Sequence, residues 1–283
     1  MRLTEQTVEQ TQLDATTYAG KALLLQTIRA EAEEFLTLAG VTDNWEAPTA
    51  SGHWQVRDLI GHLVDVTEGY LEAFELARSG GAAPEPLGLR IMAQRLDERA
   101  TAFRSEPQAD MMQRLRSDLD KMLGVFEALG PDEWGGLIVP HGYMGPVPAF
   151  VFAVFHLVDY SVHGWDMREG LGLPNGLSGD VSDILAPFMF VLWQATTETE
   201  QVGADPVRVA VRVSGRNGGT WLVNVTGEGY SYEQAAAEDV DVPAILDFDP
   251  ASLILTAYGR ANAGTAYGDR ATIDRYRTLF HAI

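Results

Sequence analysis

Cysteine is absent from the 283 residues, which excludes disulfides, thiolate metal ligands and a cysteine nucleophile together. Any thiol chemistry performed by this chain therefore needs a thiol brought from outside. Lysine is almost absent as well, with Lys21 and Lys121 the only two. Twenty basic residues stand against 40 acidic ones, and a formal charge of -20 repels a nucleic-acid backbone unless a basic patch overcomes it. No such cluster of Lys and Arg occurs, so no nucleic-acid partner is expected. Also missing are an apolar run of about 18 residues and a basic N-terminal stretch followed by a hydrophobic one. No membrane partner is expected, and the cytoplasm is the expected location. What remains is 46% hydrophobic and 21% charged, ordinary for a folded chain with a sizeable core, and long enough to favour two domains.

The first two hundred residues have helical periodicity broken by Gly/Pro-rich loops. Leu24, Leu25, Ile28, Ala32, Phe35 and Leu36 recur at helical spacing and stop near Gly40. A second helix is expected from Trp54 to about Ala77, with Leu59, Leu63, Val66 and Tyr70 on one face. A helical segment around Ile91 to Phe103 precedes a stronger one whose stripe is Met112, Leu115, Leu119, Met122, Val125 and Phe126. Pro140 and the segment HGYMGPVP break the pattern. The helix expected from about Ala149 to Arg168 is apolar on nearly every side and so central, and the next carries Pro187 inside, where a kink is expected. After about Ala204 the period changes to two. Val207, Val209, Val211 and Val213 alternate with Arg208, Ala210 and Arg212, GRNGG supplies a turn, and TWLVNVT is the partner strand. AILDFD predicts a further strand, PASLILTAYGR and ATIDRYRTLF two short helices. The expected division is a helical domain over 1–200 and a small α+β domain over 201–283.

Six histidines, His53, His62, His141, His156, His163 and His281, are few enough to weigh singly. His62 falls three residues after Leu59 and four before Val66, on the inward side of its helix. Alone, such a histidine most often bonds a backbone carbonyl in the core. The segment FHLVDYSVHGWD is more informative, because His156, Asp159 and His163 stand at i, i+3 and i+7, within about 60° of one another on a helix. Asp159 and His163 are one turn apart, the spacing by which two side chains chelate one ion in HExxH. A third ligand would come from another helix, with His62 the leading candidate. The competing reading is a polar stripe packed inside the bundle.

SGHWQVRDLIGHL, followed about a hundred residues later by DYSVHGWDMREGLG, resembles the N-terminal domain of the mycothiol-dependent maleylpyruvate isomerase family, a branch of the DinB-like four-helix bundles. The positions that carry the likeness are Trp54, Val56, Arg57, Asp58, Leu59, His62 and Leu63, then Asp159, His163, Trp165 and Asp166. The tail AYGRANAGTAYGDRATIDRYRTLF is similar to the small sterol-carrier-like domain of many members. The resemblance implies an α+β chain, a DinB-like four-helix bundle followed by a sterol-carrier-like domain, with His62, Asp159 and His163 as metal ligands. The founding activity has glutamate where this chain has Asp159, so the departure bears on the reaction more than on the metal. His156 has no counterpart in the pattern; proton transfer or packing is favoured for it over ligation.

Two nitrogens and an oxygen suit a divalent metal, zinc above all, and leave coordination positions open. Zinc stabilises thiolate over thiol, so the family's thiol cofactor, mycothiol, complements the missing cysteines. The resemblance implies a small-molecule electrophilic substrate. In an isomerase, thiolate addition to a cis double bond, rotation and elimination give the trans product. A mycothiol S-transferase of detoxification or natural-product tailoring is the second enzyme reading, and a non-catalytic carrier of an apolar ligand the third. Arg260 is a candidate catalytic residue for binding a substrate carboxylate in bidentate fashion, against the plainer reading of a surface arginine. Asp166 either bonds a ligand imidazole or pairs with Arg168 or a neighbouring helix. Arg57 and Asp58 are expected to be structural, and Trp54 and Trp165 either wall the pocket or fill the core.

Overall fold

The structure is a computed structural model that describes residues 13–236 and 239–281. The chain divides into two compact units between Leu177 and Ser178. In the first, α1 (Lys21–Ala39) buries the expected stripe of Leu24, Leu25, Ile28, Ala32, Phe35 and Leu36. Helix α2 (Val56–Ser79) opens with a capping box in which the Asp58 carboxylate accepts from the Gln55 N–H, and it closes on Gly80 in the left-handed conformation, φ 67°. Helices α3 (Met92–Thr101) and α4 (Gln108–Ala128) follow. Then comes the short α5 (Pro131–Gly136), whose Trp134 is buried and donates to the Ala15 carbonyl. The central α6 (Ala149–Gly170) buries residues on nearly every side. Helix α1 packs on α6 and α2 on α4, with further contacts of α2 to α1 and α6. These four form the bundle.

The segment read only as a break is a two-stranded hairpin, β1 (Ile138–His141) and β2 (Gly145–Pro148), with Pro140 opposite Pro146. Proline removes ladder donors, which hides a strand from a propensity reading, but a ribbon with two open edges tolerates it. Helix α3 forms within the expected segment but has little apolar contact. Ala100 is its one buried side chain. Polar links tie this helix to α2.

The second unit begins earlier than the change of period suggests. Pro187 does not kink one helix but separates two, α7 (Gly179–Leu185) and α8 (Phe188–Thr196). Both belong with the sheet: Asp183 of α7 accepts from the Arg216 side chain, and Phe190 of α8 stacks on Tyr232 and against Trp221. The boundary therefore falls near 178 and not near 200, because the switch at Ala204 marks a change of element and not of core. The sheet holds β3 (Val207–Val213), β4 (Gly219–Thr226), β5 (Gly229–Ala235), β6 (Ala244–Phe248) and β7 (Thr265–Gly268) in the order β5-β4-β3-β6-β7. β3 and β6 run parallel and the other neighbours antiparallel. Helices α9 (Pro250–Ala257) and α10 (Arg270–Arg277) are capped by Asp249 and Asp269. Among the described residues no helix is long and apolar enough to cross a membrane.

Candidate metal centre

The capping box fixes where α2 begins, and His62 sits two turns along it on the buried face. Asp159 and His163 project from one side of α6, one turn apart. The two helices bring a ligand atom from each of the three side chains within 4.8 Å of one another. His62 Nε2 lies 3.7 Å from Asp159 Oδ1. That is too long for a hydrogen bond but near the roughly 3.3 Å that separates two ligands of a tetrahedral zinc at ordinary bond lengths. The imidazoles of His62 and His163 meet edge to face, centroids 5.0 Å apart.

Orientation of the His163 ring comes from Asp166. Its carboxylate, wholly buried, accepts from Nδ1 at 2.9 Å, so that nitrogen carries the proton and Nε2 is left with its lone pair for the cluster. Of the two readings of Asp166, the bond to the imidazole of His163 is the one observed. Arg168 turns instead to Asn175 and the Gly176 carbonyl. Arg57 bonds Glu46, and Asp58 takes a two-pronged contact from Arg104, so both are structural as expected. Trp54 is a wall of the site, its ring 5.2 Å from His62 and 5.9 Å from His163.

Two buried polar atoms of the cluster, His62 Nδ1 and Asp159 Oδ2, have no hydrogen-bond partner. Below them on α6, His156 is buried with both ring nitrogens unpartnered, enclosed by Tyr70, Phe126 and Tyr160. Burial pushes its pKa down to about 4, against the opposing pull of the Asp159 charge, so the ring is neutral at pH 7. His141 on the hairpin is also driven down to about 4 by burial and is also within the field of Asp159. Its Nδ1 accepts from the N–H groups of Tyr143 and Met144, which leaves the proton on Nε2. Sequence reasoning gave His141 no role, since the turn that seats it was not visible as a hairpin. Tyr70 is shared by the rings of His141 and His156. Arg260 belongs to the second unit, where it donates to the Tyr258 carbonyl.

Nitrogen and oxygen donors from two helices, with no sulfur, fit a divalent first-row cation. A family model described as the mycothiol maleylpyruvate isomerase N-terminal domain matches residues 27–168, half of the chain. A crystal structure of the mycothiol-dependent maleylpyruvate isomerase is similar to this chain with a TM-score of 0.58 at 14% identity, covering 88% of this chain and 94% of that one. A histidine-to-alanine mutant of that isomerase gives the same TM-score and coverages at 13% identity. At such identities the likeness shows the fold. The colibactin self-resistance protein ClbS, in complex with a dsDNA, gives a TM-score of 0.46 at 13% identity, over 53% of this chain and 94% of that chain. Comparison with curated protein sequences yields no significant match.

Proposed function

The chain belongs to the family of the mycothiol maleylpyruvate isomerase N-terminal domain, and from that premise we propose that it is a metalloenzyme that activates mycothiol at a divalent metal for reaction with an electrophilic small molecule. The observation that carries this reading is the convergence of His62, Asp159 and His163 on one point between α2 and α6. These three would hold the ion, zinc being the best match to two imidazoles and a carboxylate. The bound metal would supply Lewis acidity that keeps a thiol ionised at neutral pH, which a chain without cysteine cannot provide from its own side chains.

The chain's own groups have distinct tasks in this scheme. Asp166 holds His163 in one tautomer, and Trp54 limits water on the side of the imidazoles. His156 is neutral and has both nitrogens uncommitted, so it is suited to take or give a proton one turn from Asp159. Arg260 is proposed to pair with a substrate carboxylate. Isomerisation and S-transfer share this machinery and part at the product: an isomerase returns the thiol each turnover, a transferase consumes one per product.

Metal analysis with thiol titration tests the reading. We expect about one divalent ion per chain, lost on His62→Ala or Asp159→Ala and retained on His156→Ala. The cobalt-substituted protein should show a thiolate-to-metal charge-transfer band on adding mycothiol, and free-thiol counting during turnover of a cis-unsaturated acid such as maleylpyruvate separates isomerase from transferase. Unchanged metal content in the ligand variants, or no thiol-dependent spectral change, overturns it and leaves a carrier of an apolar ligand as the better reading.

A further inference from the structure

Trp54 touches the metal cluster with its ring and a different helix with its nitrogen. The indole is 9% exposed and tilted 42° to each of the His62 and His163 rings. Its Nε1–H donates to Asp97 Oδ1 on α3 at 2.7 Å, a short bond to a charged acceptor. His53 Nε2 lies 3.0 Å from the same oxygen. Helix α3 has almost no apolar grip, Ala100 being its one buried side chain. It lies on α2 through Arg99, which donates to both oxygens of Asp65, and through Arg104 in the turn beyond it, which donates to both oxygens of Asp58. One polar tie of this strapped-on helix thus ends on the ring that packs against two of the three proposed ligands.

We propose that Asp97 is a positioning residue of the metal centre, holding the indole of Trp54 against His62 and His163, a role that rests on the reading of those side chains as ligands. A buried indole N–H without an acceptor carries a desolvation cost, so loss of the carboxylate lets the ring turn toward another partner or toward water. Both imidazoles then lose the wall that restricts their rotation and keeps water off their edges. The neighbouring arginine pairs hold α3 in the register that puts Asp97 opposite Nε1. The site is therefore supported by an element that supplies no ligand.

The test is zinc affinity of the full chain, read by competition with a chromophoric chelator. Asp97→Ala should weaken binding about tenfold, the low end of the effect of groups that orient ligands. Asp97→Asn, which keeps an acceptor oxygen, should remain within about twofold of the unsubstituted protein. Trp54→Phe should weaken binding as Asp97→Ala does, and the double variant no further than Trp54→Phe alone, because both act through one contact. Arg114→Ala cuts the α4–α2 bridge to Glu68 without touching Trp54, and should lower stability while leaving zinc affinity unchanged. Asp97→Ala with unaltered affinity, additive losses in the double variant, or an equal loss in Arg114→Ala overturns the role of Asp97. If zinc binds the unsubstituted protein and His163→Ala equally, or neither, the ligand assignment itself falls and the role of Asp97 with it.

Discussion

Asp58 and Asp166 are both wholly buried carboxylates, and their partners give them opposite tasks. Asp166 serves the site, through His163. Asp58 serves the fold: burial pushes its carboxyl up, but the two Arg104 bonds, the Gln55 N–H and the arginine charges together hold it below the usual carboxylate range. Its stabilising contribution is present above the unfolded carboxylate pKa and is lost as pH falls through the depressed folded value. Asp58→Ala should cost about 3 kcal/mol in urea unfolding, since it breaks a buried pair and a helix cap together. His156 acts at higher pH. Its folded pKa of about 4 is below the ordinary 6.5, so the unfolded chain binds the extra proton first. Stability is full above about pH 6.5 and falls toward pH 4, with a slope of up to about 1.4 kcal/mol per unit for one such group. Measured on metal-free protein with chelator present, His156→Phe should flatten this slope, and an unchanged slope would show that the imidazole is hydrated or protonated in the fold.

At the scale of elements, legibility followed apolar periodicity. Helices α1, α2, α4 and α6 each bury one broad stripe or nearly every side, and their spacing in the sequence was sufficient to place them. The strands β3, β4 and β6 showed for the same reason. Edge strands β5 and β7 did not, because an edge carries polar residues on both faces and turns the alternation into noise. The hairpin that seats His141 was masked by its prolines. Helix α3 was expected, but its dependence on polar ties was not, since Arg99, Arg104 and Asp97 find their partners Asp65, Asp58 and Trp54 more than 30 residues earlier in the chain. Close packing of α3 on α2 has its own signature at Gly61, where an added Cβ would come 2.5 Å from the Ala100 carbonyl oxygen. Alanine favours a helix interior by about 1 kcal/mol over glycine, yet the obstructing atom is backbone and cannot swing aside. Gly61→Ala should therefore destabilise the protein on balance and speed amide exchange in α3; a net gain in stability would mean that α3 is free to lift.

At the scale of the whole molecule, the division at Leu177 and Ser178 gathers the proposed ligands and their supports into one unit. His62, Asp159, His163, Asp166, Trp54 and Asp97 all precede it, whereas Arg260 follows it. The convergence of the three proposed ligands was legible in the sequence because a helix presents residues one turn apart on one face, and the resemblance named the histidine from the other helix. Of the supports, Asp166 and Trp54 each stood as one of two readings, whereas Asp97 was not legible, since a carboxylate on α3 meeting an indole before α2 is a tertiary coincidence with no period. Separation of the units has a direct consequence. The stretch Gly172–Gly179 is almost wholly exposed and contains Gly172, Pro174 and Gly176, so limited proteolysis should cut there before it cuts the polar segment TTETEQVGADP. The fragment ending near residue 177 should bind zinc with the affinity of the full chain, because no proposed ligand or orienting side chain lies beyond it. Turnover should not survive in that fragment if Arg260 binds the substrate. Full activity there would remove Arg260 from the reaction, while loss of zinc binding would mean that the metal centre depends on residues of the second unit.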